Sequence, residues 1–225
     1  MKKVLRTRAI VLRRTNYGEA DRVLQLLTPE GKRSVMARGV RREKSRLAGS
    51  IELFAVSDVV LSQGKGDLGI LTSARLVQYY RHIIEDYDMM QFGYEVIRNV
   101  AHVSELVDEP DWYNVLMEVL AALDVRSIPR QLVQTWFYLH YAALLGHELS
   151  LTNDINGKHL MPDSRYVYDV SERGLSLSSH GELTADHIKF LRLINVKSLK
   201  VVAQVGGVEE ILLDCFLVAR QHAAI

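Results

Sequence analysis

The chain has 225 residues, of which 48% are hydrophobic and 24% charged, with a formal net charge of +1. These totals suit a globular protein that buries a core and exclude a charged, low-hydrophobicity polymer. The longest apolar runs fall short of the ~20 residues needed to cross a bilayer. The single cysteine, Cys215, excludes an intrachain disulfide and a thiolate-rich zinc site.

Read in chain order, the first part is strand-like. Arg8–Arg13 is a short apolar run with basic flanks, and Arg22–Leu27 is a second. Thr28-Pro29-Glu30-Gly31 places Pro and Gly as a tight turn requires, so Arg33–Val40 should return as the third strand of a hairpin. Leu53–Leu61 reads as a longer fourth strand, Gln63–Asp67 as a Gly-rich connection, and Leu68–Val77 as the fifth strand. Five strands in about 75 residues without an intervening helix suit a small closed barrel such as the OB-fold, which also removes exposed strand edges.

The hydrophobic period then changes. Ile83, Tyr87, Met90, Tyr94, Ile97 and Ala101 recur at three- and four-residue spacing, as one helix face requires. Pro110 breaks the chain. Asp111 can cap a second helix with Trp112, Val115, Leu116, Val119, Leu120 and Leu123 buried. Pro129 opens a third helix, which Gly146 stops. Thr152–Gly157 is turn-rich, and Tyr166–Val170 with Gly174–Leu177 predicts a small hairpin within 164–178. Thr184 caps a helix reaching Ile194, and a last helix spans Val208–His222. The expected class is α+β: an OB-fold barrel over residues 1–80, then a helical domain over 81–225 carrying the hairpin.

The near-neutral total conceals a split. Residues 1–80 hold sixteen Lys and Arg against seven acids, a net of +9, and the remainder carries −8. Five of those bases, Arg38, Arg41, Arg42, Lys44 and Arg46, crowd one stretch with a single acid, Glu43. A charge run alone is most often a solvated face. On a +9 barrel beside Arg13, Arg14, Lys32 and Arg33 it reads instead as a surface for phosphate backbones. Arginine can grip a phosphate with two parallel hydrogen bonds. Lys65, at the tip of the Gly-rich connection, is a further candidate. Aromatics are few in this region (Tyr17, Phe54, Tyr79, Tyr80), so base stacking and sequence preference should be minor.

Other motifs carry less. Gly64-Lys65-Gly66-Asp67-Leu68-Gly69 spells the dinucleotide fingerprint, but that motif needs a helix N-terminus after it, and Ile70-Leu71-Thr72 reads as strand. The eight histidines are scattered, without zinc-ligand spacing. No nucleophile elbow or P-loop occurs, so no enzyme activity and no cofactor is expected. Trp112, Trp136 and Phe137 read first as core. The alternative is that Trp136 lines a groove for a partner's apolar tail, with Arg126 and Arg130 receiving its carboxylates. Lys2 and Lys3 have no apolar stretch behind them, and a cytoplasmic, nucleoid-associated protein is expected.

Three further segments carry a resemblance. Ala9–Arg13, then Asn16–Val23, then Leu26–Lys32 look like the opening of the RecO family of bacterial recombination mediators, and Ala37–Arg46 is similar to that family's AKGARR-KSR stretch. Phe54, Leu61 and Gly64–Thr72 continue the match, which loosens through Leu144-Leu145-Gly146 and weakens after residue 150. The resemblance implies an OB domain followed by helices. It implies binding of single- and double-stranded DNA, annealing of complementary strands, and help to RecA in displacing single-strand binding protein. Implied partners are RecR and the acidic, Phe-ended tail of single-strand binding protein. Many family members carry a four-cysteine zinc site; here Leu149–Leu177 has no cysteine, so no zinc is expected. Two rivals stand beside this reading. One is an adaptor whose basic barrel binds an acidic protein surface; the other is an enzyme holding a nucleotide on the Gly64–Gly69 loop.

Overall fold

A computed structural model describes residues 4–62, 68–104 and 111–224. The chain forms two compact units, Met1–Asp124 and Val125–Ile225. In the first, β1 (Val4–Tyr17), β2 (Asp21–Thr28), β3 (Gly31–Ala37), β4 (Ala55–Ser62) and β5 (Gly69–Tyr79) close a barrel in the order β1-β2-β3-β5-β4. Every pairing is antiparallel except the short parallel β3–β5 seam at Val35–Gly69 and Met36–Ile70. This is the OB-fold expected from the strand count.

The hairpin of β2 and β3 turns at Thr28–Gly31, where Gly31 takes φ 94 and the Thr28 hydroxyl donates to the Gly31 carbonyl at 2.8 Å. The first strand is more than twice as long as the six-residue run that announces it. Its front half pairs with β4 and its rear half with β2, and Ile10 pairs with both Val56 and Leu27. Alternation fills the interior with Ala9, Val11, Leu24, Leu26, Val35, Val59, Leu61 and Leu71. Ala9 to Leu12 are buried without a break, because α2 packs on the outside of β1.

The helices of this unit depart from the sequence reading in one respect. The chain breaks at Asp86, an extended residue (φ −122, ψ 122), dividing α1 (Arg81–Glu85) from α2 (Tyr87–Val103). The Asp86 carboxylate accepts the N–H groups of Asp88 and Met89 at 2.9 and 3.0 Å and so restarts the helix as an N-cap. The restart rotates the buried face to Phe92, Gly93, Val96, Ile97, Val100 and Val103, leaving Tyr87 and Tyr94 exposed. Helix α3 (Asp111–Leu123) buries every residue its spacing assigned to the core. Pro110 lies outside the described residues.

Helix α2 is fitted to Phe54, which sits at φ 60 just before β4 and is buried. A Cβ on Gly93 would lie 2.8 Å from the Phe54 ring. Gly93 is therefore a close-approach glycine, not a flexible one.

The second unit holds α4 (Arg130–Leu144), the hairpin of β6 (Tyr166–Asp169) and β7 (Gly174–Leu177), α5 (Ala185–Val196), α6 (Leu199–Val202) and α7 (Leu212–His222). Helix α4 ends in a Schellman motif: Gly146 takes φ 82, and the N–H groups of Gly146 and His147 bond the carbonyls of Ala143 and Ala142. The last helix starts at Leu212, four residues later than its apolar pattern suggests, after Gly207 at φ 75. Helix α6 has no sequence-level counterpart. His222 is buried between the Tyr168 hydroxyl, 2.9 Å from Nδ1, and the His147 carbonyl, 2.7 Å from Nε2.

Two outcomes follow from this packing. Gly93→Ala should destabilise the first unit by about 1–3 kcal/mol, because the added methyl must displace a fixed ring; urea denaturation of the variant checks it, and an unchanged midpoint refutes the fit. Burial lowers the pKa of His140 and of His222 below the ordinary 6.5. The unfolded chain then binds more protons than the folded one as pH falls below 6.5, so stability is lost on acidification. Denaturation at pH 7.5 and 5.5 should show that loss, and His222→Gln should reduce it.

Candidate nucleic-acid interface

The basic segment leaves the barrel at the end of β3 and returns at β4. Val40 and Ile51 are buried in the barrel core, and Leu47 and Ala48 pack partly against it. Between these apolar anchors Arg38, Arg41, Arg42, Lys44 and Arg46 are all exposed. The loop is thus held by its own hydrophobic residues while its bases stand in solvent.

A second set of bonds ties it to the β1–β2 turn. The Gly39 N–H donates to the Asp21 carboxylate at 2.6 Å, and the Arg41 N–H to the Ala20 carbonyl at 2.9 Å. The Arg41 guanidinium reaches the Gly18 carbonyl at 3.1 Å. Gly39 takes φ 64, and the Arg42 side chain passes over it. Further along, the Arg42 N–H bonds the Gly39 carbonyl and the Ser45 N–H bonds the Arg42 carbonyl. Among the described residues, none of the five loop bases pairs with a carboxylate. Within its unit, the cationic surface is therefore not cancelled by ion pairs among the described residues.

The remaining candidates divide. The register of β1 against β2 shifts between Val11 and Arg13. Val11 lies opposite Leu26 inside the barrel. The bulge then sets Arg13 opposite Gln25 on the outside and Arg14 opposite Leu24 on the inner side. Arg13 is exposed, whereas Arg14 is half-buried and ion-paired with Glu52 at the barrel rim. Strict alternation would have exchanged their roles. Lys32 and Arg33 lie at the opposite end of β3 from the loop, and Arg33 folds onto its own turn, donating to the Lys32 and Glu30 carbonyls at 2.8 Å each. The nine described bases among the ten named from the sequence therefore do not form one patch. Lys65 lies outside the described residues, as do Gly64, Gly66 and Asp67.

Other motifs take structural places. Strand β5 begins at Gly69, so the G-x-G-x-x-G letters lead into a strand and no helix N-terminus follows. Trp136 is buried, its indole N–H donating to the Lys197 carbonyl at 2.9 Å and its ring stacked on His140 at 3.7 Å; it is core rather than groove wall. Arg126 is exposed and Arg130 half-buried at the start of α4. Cys215 is buried and its thiol is pushed up to about 12 by desolvation, which removes thiolate chemistry at neutral pH. Among the described residues no cluster of His, Cys, Asp and Glu could hold a metal ion, and no helix is long and apolar enough to cross a membrane.

Residues 1–80 match the family described as Recombination protein O N terminal. The chain is 33% identical over 153 residues to DNA repair protein RecO of Dehalococcoides mccartyi (strain ATCC BAA-2266), covering 67% of this chain and 60% of that protein. It is 27% identical over 225 residues to the protein of the same name from Dehalococcoides mccartyi strain CBDB1, covering 96% and 88%. A third relative so named, from Roseiflexus sp. strain RS-1, is 33% identical over 150 residues, covering 66% and 52%. The barrel order, the anchored basic loop and these matches agree: the chain belongs to the RecO family of DNA repair proteins.

Proposed function

We propose that this protein is a recombination mediator that binds single- and double-stranded DNA, anneals complementary strands and assists RecA loading onto strands coated by single-strand binding protein. The observation that carries the reading is the loop of Arg38, Arg41, Arg42, Lys44 and Arg46, exposed, unpaired and pinned to the barrel. Its mechanism is electrostatic. Each phosphate neutralised releases condensed counterions, which drives association. Two strands whose charge is screened by the same cations repel each other less while their bases search for partners. Pinning matters because a preorganised loop loses little conformational freedom on binding. Nothing in this mechanism requires bond cleavage or nucleotide hydrolysis.

The same proposal assigns RecR as a partner and gives Arg126 and Arg130 the carboxylates of the acidic tail of single-strand binding protein. Family membership supports the choice of partners, and the role of Arg126 and Arg130 rests on their charge and their place just before and at the start of α4.

A salt titration of oligonucleotide affinity tests the reading. If three to five loop cations each neutralise one phosphate, log Kd should change with log salt with a slope of about 2 to 3.5, at ~0.7 per contact. Arg41→Ala/Arg42→Ala/Lys44→Ala should lower that slope by about 2 and weaken all sequences alike. A flat titration, or a triple variant that titrates like the native chain, overturns the reading. Arg13→Ala should weaken binding and Arg14→Ala should not, because only the first guanidinium is outside the barrel and unpaired. Equal losses in an anisotropy titration would contradict that assignment.

A further inference from the structure

A second cationic surface lies at the other end of β1. Arg6 and Arg8 are two apart on the strand and both face outward, so they repeat at about 6.6 Å along one face. In register, Arg6 lies opposite Val60 and Val60 opposite Ser73; Arg8 lies opposite Asp58 and Asp58 opposite Arg75. The outer face of β1, β4 and β5 therefore carries two adjacent rows, Arg6–Val60–Ser73 and Arg8–Asp58–Arg75, with a guanidinium in each. Together with Tyr113 of α3 they line an open groove of about 700 Å³.

Asp58 lies at its centre and orders it. One carboxylate oxygen accepts from Arg8 Nε at 3.3 Å and the other from Arg75 Nη2 at 3.0 Å. Each guanidinium keeps further N–H donors, and the Arg75 side chain is 81% exposed. An ion triad alone would account for Arg8, Asp58 and Arg75. It does not account for Arg6, which is exposed, lines the same groove and has no carboxylate partner among the described residues. The lining sets three guanidiniums against the Asp58 carboxylate, and with Glu30 beside it on the Thr7 hydroxyl the groove still keeps a cationic excess.

We propose that this groove holds the phosphate backbone of a second nucleic-acid strand, distinct from the strand held by the basic loop. The inference rests on the DNA-binding reading above. The loop is tied to Gly18, ten residues beyond Arg8, which is about 30 Å along an extended strand. One short phosphate run does not serve both places. The chemistry favours a backbone over a peptide. The lining sets three guanidiniums and a serine hydroxyl beside apolar surface from Pro29, Val60 and Tyr113, and the arginines, spread over β1 and β5, match the repeated anions of a backbone.

The test uses the full chain and oligothymidine probes, which cannot pair with one another. A biotinylated strand is immobilised and saturated with protein, and a fluorescent second strand is then added. The native protein should retain the second strand. Arg6→Ala/Arg75→Ala should bind the first strand within about twofold of native and capture the second about tenfold more weakly, since charged hydrogen bonds to phosphate are lost. Ser73→Glu, which leaves the arginines in place but adds a negative charge at an exposed position, should do the same and guards against misfolding of the double variant. Undiminished capture by either folded variant overturns the proposal. So does equal loss of both strands, which would mean one continuous site. If the native protein fails to bind even the first strand, it is the DNA-binding reading that fails. If it binds one strand and never a second, only the present inference fails.

Discussion

The long first strand is the constraint from which the front unit follows. Every strand of a closed barrel has two neighbours, and β1 meets its two at different places along its length, β4 over the front half and β2 over the rear, changing partner at Ile10. Its front half, on β4, presents Arg6 and Arg8 outward; its rear half, on β2, leads to the turn that anchors the basic loop. The bulge at the crossover increases local twist, as bulges do, and it also reassigns the arginines. Arg13 is turned to solvent and Arg14 to Glu52 at the rim. Closure, loop placement and the identity of the free guanidinium are thus one geometric fact.

Charge is organised on the same scale. The barrel's +9 is opposed within its own compact unit, because residues 81–124 contain two Lys and Arg against ten Asp and Glu. Residues 125–225 hold ten of each and are neutral. The acidic balance of the chain is therefore concentrated in the stretch of α1–α3, not spread over the rear half. Such a unit keeps a low net charge while its basic loop stays exposed. The helices are also the outer support of the barrel, through Phe54 seated against Gly93 and the cover they give to β1.

The loop shows how a cationic surface stays ordered without carboxylate partners. Ion pairs would order the arginines but cancel their charge. Here order comes from Val40 and Ile51 in the core, from the carbonyls of Gly18 and Ala20, and from the Asp21 carboxylate, which accepts a main-chain N–H of Gly39. Apolar burial and acceptors directed mostly at the backbone hold the loop without an ion pair to its basic side chains. The groove on the opposite stretch of β1 uses another device: one carboxylate aligns two guanidiniums and leaves a third outside the pair.

The strands, the hairpin turns, the buried face of α3, the caps at Thr184 and Gly146, and the exposed basic stretch were legible in the sequence. They depend on period-two and period-3.6 spacing and on local turn chemistry, which neighbouring residues alone determine. The restart at Asp86 was less legible, since a one-residue break rotates a whole helix face without disturbing the apolar count. What only tertiary structure decided was where each arginine points. Arg13 and Arg14 are adjacent and chemically identical, and a bulge set by pairing with a distant strand sends one to solvent and the other to Glu52. Arg6, Arg8 and Arg75 are scattered in the sequence, and only strand register brings them to one groove. The residue types come from the sequence; their grouping comes from barrel closure, which pairs residues up to fifty-eight positions apart and leaves no local trace.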